Sequence, residues 1–83
     1  ISWFYGVAIR MFYNDHSPPH FHAEYGEHEL IVAVGPIRIM AGRAPQRVVS
    51  MVLEWAALNE QALLDDWNLA RNQEPLKPVP PLE

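Results

Sequence analysis

The sequence predicts an α+β fold: a small antiparallel sheet of three to four strands in a meander, followed by two C-terminal helices packed on one of its faces. Three observations predict it. As far as Gly42, apolar and polar residues alternate at the strand period of two, in runs separated by Gly- and Pro-marked breaks. Beyond Pro45 the apolar residues recur at helical spacing instead. The 83 residues leave room for one domain only, and a chain this short buries roughly 60% of its unfolded surface, so its core is small.

The first strand is expected over Trp3 to Tyr13, "WFYGVAIRMFY", rich in aromatic and branched residues. Its apolar face would carry Trp3, Tyr5, Val7, Ile9, Met11 and Tyr13. Asn14 to Pro19 is a loop whose double proline favours extended backbone. His20 to Glu24 alternates, and Tyr25-Gly26 is the expected tight turn, since Gly accepts positive φ. "EHELIVAV" returns as the next strand, Gly35-Pro36 breaks it, and "IRIMA" is the last, ending at Gly42.

Pro45 suits the start of a helix, in which Val48, Val49, Met51, Val52, Trp55 and Ala56 form the apolar stripe. Asn59 is the expected N-cap of a second helix, with Leu63, Leu64, Trp67 and Ala70 facing inward and Asp65-Asp66 as a solvated turn. The domain is expected over residues 1–74, with 75–83, "PLKPVPPLE", as an extended proline-rich tail.

Composition narrows the classes of function. Residues 1–47 carry four arginines against four acids, whereas 48–83 carry two bases against six acids, which supplies the whole net charge of −4. That balance opposes non-specific nucleic-acid binding, and no DNA partner is expected. No apolar run approaches the roughly 18 residues of a membrane span, so a soluble protein without a membrane partner is expected. The absence of cysteine excludes disulfides, thiolate metal sites and a catalytic thiol, and fits a reducing cytoplasm. No signal peptide is visible, and a start at Ile1 implies a trimmed or omitted N-terminus.

The segment Asp15–Glu29, "DHSPPHFHAEYGEHE", holds all four histidines and four of the ten acids. With a turn at Tyr25-Gly26, Glu24 would lie opposite Glu27, His22 opposite Glu29 and His20 opposite Ile31. One face then collects Phe21, Ala23, His28, Leu30 and Val32 as core. The other collects His20, His22, Glu24, Glu27 and Glu29, joined by Arg38 and Met40 from the last strand, with Arg10 nearby. Only one helical layer exists, so this polar face is expected to stand open or to meet a partner.

Three chemistries suit such a patch. His20 and His22, two apart on a strand and roughly 6–7 Å apart at Cα, can converge on one ion, with His16 or Glu29 as a third ligand. Two His and a carboxylate suit Zn or non-haem Fe(II). Alternatively His20 or His22 acts as acid and base on an RNA phosphodiester, with Arg38 or Arg10 holding the phosphate. The third reading is a protein interface, with another protein or with a second copy of this chain by self-association, the commonest fate of such a surface in a small domain. Arg43 and Arg47 flank the first helical turn and could bind an anion or an acidic partner there.

The stretches "FYGVAIRMFYNDHSPPHFHAEYGEHE", "GRAPQRVVSMVLEW" and "LLDDWNLA" resemble the bacterial family called domain of unknown function 4160. Its motif falls on Tyr13, Asp15, His16, Pro18, Pro19, His20, Phe21, His22, Ala23, Tyr25, Gly26 and Glu27, then Gly42, Pro45, Arg47, Trp55 and Trp67. A histidine often found near Asn59 in members is asparagine here. Members have no established reaction. The resemblance implies a protein partner, since members are often encoded beside a second small family, domain of unknown function 2442, in a pair sometimes proposed as a toxin–antitoxin module. The chain is accordingly expected to be an interaction module, its toxin role and any RNA-directed activity being implied by that association.

Overall fold

The aromatic run at the N-terminus folds as two strands, not one. In the computed structural model, which describes Ile1–Glu83, β1 (Ser2–Phe4) and β2 (Val7–Arg10) pair antiparallel about a two-residue turn at Tyr5-Gly6. Both turn residues have positive φ, +48° and +83°, as a type I′ hairpin turn requires. Tyr lacks the turn preference of Asn or Asp, which is why the sequence pattern conceals it. The turn also changes which residues face inward. Phe4 pairs with Val7 and is buried, whereas Trp3 and Tyr5, expected beside Val7, are 67% and 59% exposed.

This split makes the sheet five-stranded rather than three- or four-stranded. β3 (His20–Tyr25), β4 (His28–Ala33) and β5 (Arg38–Arg43) complete an antiparallel meander in the order β1-β2-β3-β4-β5. The β3–β4 turn falls one residue later than expected, at Gly26-Glu27, closed by the pair Tyr25–His28. Gly26, the first central residue, takes φ +57°, the position at which a II′-type turn demands glycine. Glu24 therefore faces Glu29, His22 faces Ile31 and His20 faces Ala33. A shift of two residues leaves the paired strand residues on their expected faces, while Glu27, expected on the polar face, moves into the turn. Phe21, Ala23, Leu30 and Val32 are all buried. His28, expected in the core, is exposed at the hairpin tip, where its ring stacks on Tyr25 at 6.4 Å. In β5 a bulge at Met40 lets Ile39 face Val32, while Ala41 and Arg43 face Ile31 and Glu29.

Helix α1 (Gln46–Leu58) starts directly after Pro45, whose φ of −54° suits helix entry. Helix α2 is Glu60–Arg71. Val48, Val52, Trp55, Ala56, Leu63 and Trp67 join the sheet's apolar face in one core, with the Trp55 ring 5.4 Å from Phe4 and 5.5 Å from Phe21. A buried Trp removes on the order of 200 Å² from water, so Trp55 and Trp67 dominate this packing. Asn59 makes no capping bond to α2; its Nδ2 donates instead to the Trp55 carbonyl at 2.9 Å and closes α1. No helix is long and apolar enough to cross a membrane.

Neither helix nor strand follows Arg71, yet the tail is held against the rest of the chain. The Trp55 indole N–H donates to the Pro80 carbonyl at 2.8 Å, and the Val79 N–H donates to the Ile1 carbonyl at 2.9 Å. Val79 is buried in the core. Asp66, expected as a solvated turn, is buried beneath this tail, where its Oδ1 accepts the Lys77 backbone N–H at 2.9 Å.

Candidate metal centre

Strand alternation sends His20 and His22 to the sheet face opposite the core, and the β2–β3 connection brings Asp15 back over them. The Ser17-Pro18 peptide in that connection is cis. One oxygen of Asp15, Oδ2, lies 3.1 Å from His20 Nε2 and 3.2 Å from His22 Nε2. The three residues offer ligand atoms that all lie within 4.8 Å of one another. The two imidazole rings are 5.3 Å apart.

The far side of each ring is also occupied. His20 Nδ1 is 2.8 Å from the Pro18 carbonyl, and His22 Nδ1 is 3.1 Å from Glu29 Oε2. A carbonyl and a carboxylate only accept, so both Nδ1 atoms must carry the proton and donate. In a neutral imidazole that leaves Nε2 with a bare lone pair. Both lone pairs then point at the same carboxylate oxygen, which is repulsive unless a cation lies between them or both rings carry a second proton.

The rings are less open than the sequence suggested. His20 packs against Trp67 with ring centroids 5.2 Å apart, and Phe12 meets the His22 ring edge-on at 4.8 Å. Their side chains keep only 11% and 14% of their exposure. The expected uncovered face is thus partly closed here, by the chain's own loop and by one ring of α2. Asp66 and the Trp55 ring have no part in the cluster.

The other sequence candidates fall around it. Glu29, considered as a ligand, stands behind His22 and orients that ring. His16, considered as the third ligand, is exposed one residue beyond Asp15, which takes the place expected of it. Arg38 lies on the same sheet face but opposite Ala33, two strands from His20, with no hydrogen bond or ion pair to the cluster. Arg10 pairs with Glu24 at 2.9 Å. Arg47 donates to the Tyr25 hydroxyl at 2.7 Å and lies over that ring. Asp15 is the residue that reading the strands missed. Its only sequence signal was its place in the loop motif beside His16.

The profile of a family described as "Domain of unknown function (DUF4160)" matches residues 6–68. That span holds the whole sheet from Gly6 onward, all three residues of the cluster and most of both helices. No curated protein and no solved structure matches the chain.

Proposed function

The chain belongs to the DUF4160 family, and from that premise we propose that it is a divalent-metal-binding module whose ligands are Asp15, His20 and His22. One observation carries this reading: both Nε2 atoms face one oxygen of Asp15 while both Nδ1 atoms are committed to acceptors. Metal-binding histidines ordinarily donate their second ring N–H to a carbonyl or carboxylate, which fixes the tautomer and strengthens the ligand. Pro18 and Glu29 fill those two roles. On an ion with bonds of about 2.0–2.1 Å, tetrahedral ligand atoms stand about 3.3 Å apart. The Nε2–Oδ2 separations of 3.1 and 3.2 Å come near that spacing, and all three ligand atoms lie within 4.8 Å of one another.

Two nitrogens and one oxygen suit Zn(II) or Fe(II). Three protein ligands leave coordination positions for water or a substrate, so a metal-dependent hydrolase, the enzymatic alternative, would use these same residues. The test is elemental analysis of untagged protein, followed by calorimetric zinc titration of the wild type and of the His20→Ala/His22→Ala variant. Stoichiometric metal that the variant loses, with its circular dichroism unchanged, supports the reading. A folded wild-type chain that neither retains metal nor takes up zinc rejects it.

A protein partner, cytoplasmic and encoded alongside, is a second reading. The exposed aromatics Trp3 and Tyr5 on edge strand β1 and its turn support it. Co-expression with the neighbouring gene product checks both the partner and the proposed toxin role. No complex together and no growth effect alone would remove them.

A further inference from the structure

We propose that the cavity beside Asp15 is an oxyanion site that fills only when a metal sits between Asp15, His20 and His22; it takes the phosphoryl group of a small substrate. This rests on the metal-binding reading and names the substrate class of that same centre.

The cavity, about 310 Å³, is lined by Tyr13, Asn14, Asp15, His16, Ser17 and Arg71. Five of these walls can donate hydrogen bonds, through a phenol, an amide, an imidazole, a hydroxyl and a guanidinium. Arg71 comes from the last turn of α2, and the other five come from the β2–β3 connection. Its guanidinium makes one side-chain bond, from Nη1 to Ser17 Oγ at 3.2 Å, and no carboxylate pairs with it. A guanidinium has five N–H donors in a fork that matches the oxygens of phosphate. The remaining donors of Arg71 make no hydrogen bond to another side chain. Arg38, Arg43 and Arg47 are equally free of carboxylates, but Arg71 is the one that lines a cavity together with a histidine and a hydroxyl, the donor set an anion would use.

Asp15 is the one acid on that wall, and it belongs to both sites. Its negative charge opposes an anion in the cavity for as long as it is uncompensated. A divalent ion held by Asp15, His20 and His22 would offset that charge beside the cavity Asp15 lines, and three protein ligands would leave it room for a further ligand. The two ligands are therefore coupled, and the coupling is reciprocal: each tightens the other by the same factor. Arg71 at the end of α2 also complements the helix dipole. That role predicts no such coupling, so the coupling separates the two.

The experiment is calorimetric zinc titration with and without inorganic phosphate, kept below the solubility limit of its zinc salt. Sulfate and acetate run in parallel, on wild type and Arg71→Gln. Phosphate should tighten zinc binding by roughly 5-fold or more in the wild type. Arg71→Gln should bind zinc alone as the wild type does, with the phosphate effect gone. A response to sulfate as well marks a general tetrahedral-oxyanion site, and an equal response to acetate overturns the phosphoryl assignment. Zinc binding that phosphate leaves unchanged, or coupling that survives in Arg71→Gln, overturns the oxyanion site and leaves the metal centre standing. Failure of the wild type to bind zinc at all overturns both.

Discussion

Glu24 and Glu29 face each other across the β3–β4 ladder, and neither carboxylate is left unpaired. Arg10 holds Glu24 at 2.9 Å, and His22 Nδ1 holds Glu29 at 3.1 Å. Like charges directly opposite on a sheet destabilise it. Here the opposition is offset by drawing the two carboxylates to different neighbours. The one drawn to His22 also fixes that ring's tautomer, so strand pairing and the candidate metal centre share a residue.

Glu29→Ala should therefore weaken zinc binding by about 10–100-fold while leaving the ligand set intact. Its effect on stability should be small, because removing Glu29 also relieves Glu24. Zinc calorimetry paired with urea unfolding reads both quantities. Unchanged zinc affinity would show that Glu29 does not support His22.

Asp66 makes a prediction in pH. Burial holds its carboxyl above the ordinary aspartate range, and Asp65 pushes the same way. The Lys77 N–H and the Lys77 charge oppose the shift without cancelling it. The folded chain thus binds this proton more tightly than the unfolded chain does. Its contribution is fully present below the unfolded pKa and is lost as pH rises through the folded one. Asp66→Asn keeps an oxygen for the Lys77 N–H and removes the charge. It should match the wild type in acid and melt higher at neutral pH. A variant that melts lower at neutral pH, with the same acid slope as the wild type, contradicts this.

Gly42→Ala should be costly. Gly42 has φ +97°, and a Cβ there would run into the carbonyl of Glu29. Both the backbone strain and the collision are local to β4–β5, and together they should cost about 2 kcal/mol or more. Equilibrium unfolding in urea measures it. Because the collision pushes on Glu29, zinc affinity should fall as well.

Tyr5→Asn should stabilise the chain. Tyr5 has φ +48° ahead of Gly6, and Asn-Gly is the preferred pair for that turn. The ring is exposed, so little packing is lost. A gain of about 0.5–1 kcal/mol is expected, seen as a melting temperature raised by a few degrees. A fall in melting temperature would mean that the Tyr5 ring contributes more than its exposure implies.

Local chemistry in the sequence determined several things about this protein. Alternation at period two assigned Phe21, Ala23, Leu30 and Val32 to the core and His20 and His22 to the opposite face. That assignment survived a two-residue error in register, because facing depends only on parity. The helical spacing after Pro45 likewise placed Trp55 and Trp67 inside. Only the tertiary structure decided where the chain doubles back. It put the first turn at Tyr5-Gly6, returned Asp15 from a loop onto two histidines of a strand, set Trp67 against His20, and laid the tail over Asp66. Periodicity is a property of neighbours along the chain. A carboxylate meeting imidazoles across a loop depends on how that loop closes, and no local pattern encodes the closure.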